Sequence, residues 1–277
     1  MNRTDEWYDV ERVTDRSWRI AEGTIFGSYL IEGDDRALLI DAGIGIGDLR
    51  GMAAELTDLP VTLLLSHAHW DHVGNASQFD EVLADGREHE NGRVEVSYIG
   101  YHPSEWIADW QSAGREFPDE FDPDGYEIGP VTGIETVAPD EEIDLGGVTV
   151  ELLPVPGHSP GQLAVLDREQ GVLYGGDVFH RNHGLYVHFE GCSVESYVDT
   201  FDRLIGLWDA GAFDTVYISH ERPLSGEDLS LLETFRDGLD AVLADDLEYE
   251  QVDDGTGTPA RRYEIAGYPV LTKPDIV

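Results

Sequence analysis

The chain reads as an α/β protein in which helices pack against sheets. Three observations carry this. Short apolar runs end at turn residues in both halves of the sequence, the mark of buried strands. Residues 194–208 and 226–244 place apolar groups at helical spacing. The two kinds of segment alternate loosely, and laying helices on sheets buries both apolar faces.

In chain order, residues 17–40 read as β. Trp18 and Ile20, Ile25-Phe26, and Tyr29-Leu30-Ile31 precede a turn at Gly33-Asp34-Asp35, and Ala37-Leu38-Leu39-Ile40 follows it. Residues 47–57 read as a helix that stops before Pro60, and Val61 to Leu65 as a buried strand. Phe79 to Ala84 is a weaker strand. Residues 85–135 are irregular, with Trp106, Trp110, Phe117, Phe121 and Tyr126 set among prolines and acids. Ile143 to Leu153 predicts a hairpin around Gly146-Gly147. Leu163 to Leu166 and Val172 to Tyr174 predict another, turning near Glu169-Gln170-Gly171. Thr215 to Ile218 is a strand ending at Ser219-His220. The expected organisation is one domain over 1–245, with 85–135 as an insert, and a C-terminal extension over 246–277 with a hairpin around Asp253 to Gly257.

The 277 residues are 41% hydrophobic, enough for a sizeable core. No run of 18 apolar residues is present, so no membrane span is expected. The polar, acidic N-terminus lacks a secretory signal, and a cytoplasmic location is expected. Acidic residues outnumber basic ones 57 to 17, a formal net charge of -40, and Lys273 is the only lysine. Such self-repulsion opposes compaction in dilute salt. It fades at about 1 M, where the screening length is roughly 3 Å. The composition therefore suits a salt-rich cytoplasm, as in halophiles. Aromatic content of 10% and clear strand patterns argue against a disordered acidic chain. Without a basic patch, nucleic acid is excluded as a partner. The single Cys192 rules out an internal disulfide and a thiolate metal cluster; it reads as a small hydrophobe, with a catalytic thiol as the alternative.

The strongest local signal is Ser66-His67-Ala68-His69-Trp70-Asp71-His72. Histidine and aspartate fill apolar cores poorly, whereas imidazole and carboxylate suit zinc, and imidazole also suits iron. A solvated polar loop is the plain alternative. Four other strand-like runs deliver a metal-competent residue into a loop: Asp41, His158 within Gly157-His158-Ser159-Pro160-Gly161, Asp177 after Gly175-Gly176, and His220. Taken singly, each is an ordinary turn, cap or loop residue. Function in open α/β architectures gathers at such strand ends.

Together and in order, these residues resemble the motifs of the metallo-β-lactamase fold superfamily over about residues 17–244. The resemblance implies a four-layer αβ/βα sandwich. It assigns His67, His69 and His158 to one metal, and Asp71, His72 and His220 to a second. Asp177 bridges the two, and Asp41 orients a ligand by hydrogen bond. It also implies two divalent ions, zinc first, with iron or manganese as alternatives. The His67-x-His69-x-Asp71-His72 and Gly157 to Gly161 segments look most like the glyoxalase II-like hydrolases. That implies a zinc-dependent hydrolase cutting an ester, thioester or lactone bond of a small molecule through a metal-bound hydroxide, with Asp71 steering the nucleophile. Two other classes stay open: a non-haem iron oxygenase of the persulfide dioxygenase type on the same scaffold, and a silent metal-binding protein.

Substrate contacts are expected from Trp106, Trp110, Phe179, His180 and Tyr186, with Cys192 near them. Residues 100–135 are a candidate lid; equally, their aromatics pin a polar loop to the core. His89 and His102 read as surface residues. His180, His183 and His188 read as pocket lining or as local polarity. Arg181 and Arg222 are the only basic groups near the motifs, too few for the carboxylates of glutathione. Oligomeric state is open, a homodimer included.

Overall fold

The apolar run Ala37–Ile40 forms a strand with every residue buried, as a strand covered on both faces requires. The computed structural model describes residues 3–4, 7–96, 103–180, 184–254 and 257–275. His102, Arg181 and His183 lie outside the described residues. The chain divides into two compact units: residues 1–138 with 143–149, and residues 139–142 with 150–277.

The first unit is built on an eight-stranded sheet in the order Arg3–Thr4, Tyr8–Arg12, Ser17–Glu22, Phe26–Glu32, Ala37–Ile40, Val61–Leu64, Val82–Asp85, Ile134–Val137. Neighbours are antiparallel up to Ala37–Ile40 and parallel beyond it. The change is forced where a helix intervenes, because a parallel return needs a crossover. That helix is Leu49–Leu56, with the Asp48 carboxylate accepting from the Gly51 N–H as its cap. The parallel register pairs Ile40 with Leu64, so Asp41 and the Ser66–His72 segment leave the sheet at the same carboxyl edge.

The insert contains an unforeseen helix, Pro103–Ser112, which buries Ile107 and Trp110. Its aromatics join a chain of ring contacts. Trp7 meets Trp110 at 5.6 Å and Phe117 at 5.4 Å, and Phe117 meets Phe121 at 5.3 Å. The Arg115 guanidinium lies over Trp7 and Trp110 at 4.7 and 5.0 Å, and burial lowers its pKa. These contacts pin the segment to the core of its unit, and Trp110 is 9% exposed.

In the second unit, strands Thr149–Pro154, Leu163–Asp167, Val172–Tyr174, Thr215–Tyr217 and Leu224–Ser225 lie side by side. Helices Val194–Asp209 and Leu231–Leu243 pack together, with Phe201 stacked on Phe235 at 6.1 Å. Ser193 caps the first of them through the Ser196 N–H. In the C-terminal extension, Glu250–Asp253 pairs antiparallel with Pro259–Ile265, Asp253 opposite Pro259, and Tyr268–Thr272 adds a third strand. The last runs parallel to Leu185–Val187, with Leu185 opposite Val270 and Val187 opposite Thr272.

Arginines pair with carboxylates, as in Arg16–Asp34 and Arg50–Asp80, both at 2.9 Å and largely exposed. Exposed pairs of this kind contribute about 0–1 kcal/mol each, so they do not offset a net charge of -40. We expect the melting temperature to climb steeply as KCl is raised from about 0.1 to about 1 M, where screening shortens from roughly 10 to roughly 3 Å. Thermal unfolding followed by circular dichroism across that series checks this. A melting temperature indifferent to salt would contradict it.

Candidate metal centre

In the first unit, the strand Val61–Leu64 carries the chain through Leu65 and Ser66 into His67. His69 then precedes a single helical turn, Trp70–Val73, closed by the His72 N–H on the His69 carbonyl at 3.1 Å. That turn brings the histidines together: the His67 ring lies 4.5 Å from His69 and 4.1 Å from His72. Trp70 packs instead on Phe26 at 5.6 Å. Phe26 also meets Trp106 at 5.9 Å.

Asp41 organises this cluster from a left-handed backbone conformation, φ 65°, which aspartate tolerates better than most residues. Its Oδ1 accepts from the Ser66 N–H at 2.7 Å, and its Oδ2 accepts from the Ser66 hydroxyl at 2.8 Å. The same Oδ2 lies 2.9 Å from His72 Nδ1. A carboxylate only accepts, so His72 Nδ1 carries the proton and Nε2 carries the lone pair. The Ser66 hydroxyl proton points at Asp41, so its oxygen accepts from His67 Nδ1 at 3.0 Å. His67 is thereby held in the same tautomer. Both imidazoles are buried, at 0% and 1% exposure, and both keep the lone pair on Nε2. Asp71 lies beside His72, with Oδ1 3.8 Å from Nε2. Glu88 accepts from the Ala68 N–H at 2.9 Å and fixes the backbone between the first two histidines.

The second unit presents a set of its own. Asp177 leaves the strand Val172–Tyr174 through Gly175-Gly176, where Gly176 has φ 56°. The Gly175 N–H bonds the Tyr217 carbonyl at 2.8 Å and the Ser219 N–H bonds the Gly176 carbonyl at 3.1 Å. These bonds tie the Asp177 loop to the strand that delivers His220. One carboxylate oxygen of Asp177 then lies 3.2 Å from His220 Nε2, 3.5 Å from His180 Nε2 and 3.8 Å from His158 Nε2. His158 is held by its backbone: its carbonyl accepts from the Cys192 thiol at 2.8 Å. Gly157 before it has no room for a side chain, since a Cβ there would stand 2.4 Å from the Tyr197 ring. Burial pushes the Tyr197 pKa well above its ordinary value. Its hydroxyl stays protonated and donates to the Asp177 carbonyl at 3.5 Å.

The other candidates fall in different places. His180 is 4% exposed, with Tyr186 at 5.7 Å. Phe179 is fully buried against Phe235 at 5.9 Å, so its ring serves packing. His188 pairs with Asp254 of the C-terminal extension at 3.1 Å, and burial lowers its pKa while Asp254 opposes. His89 is half-buried, accepting from the Gly92 N–H at 3.1 Å. Arg222 is 70% exposed, 3.9 Å from Asp228. Ser66, Glu88 and Tyr197 are contributors the sequence did not single out. Only Ser66 carried a signal, its place next to the histidine string.

The model of the Metallo-beta-lactamase superfamily matches residues 28–210. The chain belongs to the metallo-beta-lactamase superfamily. The match spans both histidine–aspartate clusters except His220, and family and clusters together indicate a divalent-metal site. A metallo-beta-lactamase from Pontibacter korlensis shares the fold, with a TM-score of 0.57 and 17% identity over 84% of this chain and 99% of that one. An acyl-coenzyme A thioesterase of Bos taurus, MBLAC2, is 25% identical over 241 residues, 81% of this chain and 85% of its own. The hydroxyacylglutathione hydrolase GloC of Haemophilus influenzae is 27% identical over 54% of this chain and 65% of its own. Among the described residues, no helix is long and apolar enough to cross a membrane.

Proposed function

We propose that this superfamily member is a dinuclear metal-dependent hydrolase that cuts the thioester bond of a small acyl thioester. The observation that carries the reading is the buried Asp177 carboxylate, with three imidazole Nε2 atoms within 3.8 Å of one oxygen. Imidazole nitrogens and a carboxylate gathered in this way are the donor types a divalent cation takes, and binding one would replace the His220–Asp177 hydrogen bond. The tautomers fixed at His67 and His72 fit the same purpose. By the family's motifs, His67, His69 and His158 would hold one ion and Asp71, His72, Asp177 and His220 the second. Resemblance to an acyl-coenzyme A thioesterase along most of both chains supports the thioester.

Bound there, a pair of divalent ions supplies an activated water and a Lewis acid for the acyl oxygen. The protein's residues do the rest. Asp41, directly and through Ser66, keeps His72 and His67 in the metal-binding tautomer. Asp71, 15% exposed at its side chain, orients the attacking water and takes its proton. His180 and Tyr186, whose rings lie 5.7 Å apart, flank the reacting bond.

The test is a panel of acyl thioesters, esters and lactones given to the holo-protein in molar KCl, with coenzyme A, glutathione and a neutral thiol as carriers. The expected result is thioester cleavage that a chelator abolishes and a divalent ion restores. Loaded protein that cleaves no thioester would overturn the reading.

A further inference from the structure

Residues 43–47 read Gly-Ile-Gly-Ile-Gly, a pattern that in another setting cradles a phosphate with its backbone N–H groups. Here the anion belongs to the chain. Glu22, at the end of the strand Ser17–Glu22, is 1% exposed. Its Oε2 accepts from the N–H groups of Ile44 at 2.8 Å and Gly45 at 3.2 Å. Its Oε1 accepts from those of Ile46 at 2.8 Å and Gly47 at 2.7 Å. The Trp7 indole at 3.0 Å and the Asn75 amide at 3.1 Å complete the cradle. Burial raises the Glu22 pKa, and the hydrogen bonds from Gly47, Trp7, Ile44 and Ile46 oppose that rise. Each partner in the cradle is an N–H donor. A neutral carboxyl would turn its own proton toward donors, so the cradle is shaped for the ionised form.

The glycines are there for closeness. A Cβ on Gly43 would stand 2.4 Å from Glu22 Oε2, and one on Gly45 would stand 2.8 Å from the Gly74 carbonyl oxygen. The loop is in turn laced to the histidine-bearing turn. The Ala42 N–H bonds the His72 carbonyl at 2.8 Å, the Gly74 N–H bonds the Gly43 carbonyl at 2.8 Å, and the Asn75 N–H bonds the Ala42 carbonyl at 2.9 Å. Glu22 thus holds both strands of this lacing: the loop that begins at Asp41, and Asn75 just beyond His72. Neither Asp41 nor His72 touches Glu22 in these bonds, so its effect runs through the backbone between them.

We propose that Glu22 is a positioning residue for the metal centre, its carboxylate serving as the internal anion of the Gly43–Gly47 loop and through it keeping Asp41 and His72 in register. The inference rests on the metal-centre reading above. It goes beyond it by placing a determinant of metal affinity on a side chain that binds no metal.

The test compares full-length wild type, Glu22→Gln, Asn75→Ala and Leu239→Ala in molar KCl. Leu239 is a wholly buried residue of the other unit's core and serves as a control for lost stability alone. Zinc affinity is read by competition with a chromophoric chelator, and amide hydrogen exchange is read at residues 44–47. Glu22→Gln keeps the shape but sets an amide N–H against the donors. We expect about tenfold to a hundredfold weaker zinc binding, the span seen when groups orienting metal ligands are removed. Exchange at residues 44–47 should accelerate, and thioester kcat should fall with little change in KM. Asn75→Ala, which removes one of the six donors, should show the same signs more weakly and remains informative if Glu22→Gln fails to fold. Leu239→Ala should lose stability and keep its zinc affinity. Zinc affinity within twofold of wild type in Glu22→Gln, or in Asn75→Ala where Glu22→Gln does not fold, would overturn the proposal. His69→Ala separates the two readings: if it too keeps its zinc, the metal-centre reading itself has failed.

Discussion

Replacing Asp177 or His69 by alanine should remove metal and turnover together while leaving the fold in place. Asp177 is the larger loss. Its carboxylate sits among the Nε2 atoms of His158, His180 and His220, so alanine takes away the negative charge that would balance a cation there. Its backbone contacts are unaffected, because the Tyr197 hydroxyl and the Gly176 bond to Ser219 use main-chain atoms. Lewis-acid stabilisation is worth several kcal/mol, and each ~1.4 kcal/mol is tenfold in rate, so turnover should fall by about a thousandfold or more. His69, at the start of the short turn Trp70–Val73, holds that turn through its carbonyl rather than its ring, so His69→Ala should likewise keep the backbone and lose the metal. Elemental analysis beside thioester turnover and far-ultraviolet circular dichroism checks both variants. A metal-poor variant hydrolysing at the wild-type rate would contradict the mechanism.

Asp41→Asn should weaken metal binding about tenfold to a hundredfold without unfolding the chain. Asparagine has nearly the same shape and tolerates the left-handed backbone at this position. Its carbonyl can still accept from the Ser66 N–H. Its amide, however, presents N–H groups where Oδ2 now accepts from the Ser66 hydroxyl and His72 Nδ1. His72 is then driven to the tautomer with the proton on Nε2, which is a poor ligand, and Ser66 loses the bond that orients it toward His67. Asp41→Ala adds the backbone strain of alanine at φ 65°, roughly 1 kcal/mol or more, and should also lower the melting temperature. Zinc competition and thermal unfolding of both variants separate the two effects. Unchanged zinc affinity in Asp41→Asn would sink the tautomer argument.

What could be read from the sequence was what short-range pattern encodes. The apolar runs at 37–40, 61–65, 163–166, 172–174 and 215–218 became strands Ala37–Ile40, Val61–Leu64, Leu163–Asp167, Val172–Tyr174 and Thr215–Tyr217. The helical spacing at 194–208 became Val194–Asp209. The histidine string stood out by itself, whereas Asp41, Asp177 and His220 are ordinary loop residues singly and stood out only through their order alongside it. What stayed hidden depends on long-range partners. Helix Pro103–Ser112 was obscured by the prolines and acids around it, though Trp106, Ile107 and Trp110 have helical spacing. Pairing of Leu185–Val187 with Tyr268–Thr272 is set by a register that no local run reveals. Phe179 looked like a pocket wall from its nearness to Asp177, but it points to Phe235 in the core. Glu22 looked like one acid among many, and its six donors come from three separate segments.

The central claim is that two metal ions and this set of side chains perform the hydrolysis. The most direct test is the metal content per chain of protein purified in molar KCl, measured on the same sample that hydrolyses an acyl thioester. Two divalent ions per chain at full turnover, with activity lost on stripping and regained on reloading, is the expected result. A single iron per chain with consumption of oxygen, or undiminished hydrolysis by metal-free protein, would contradict the account.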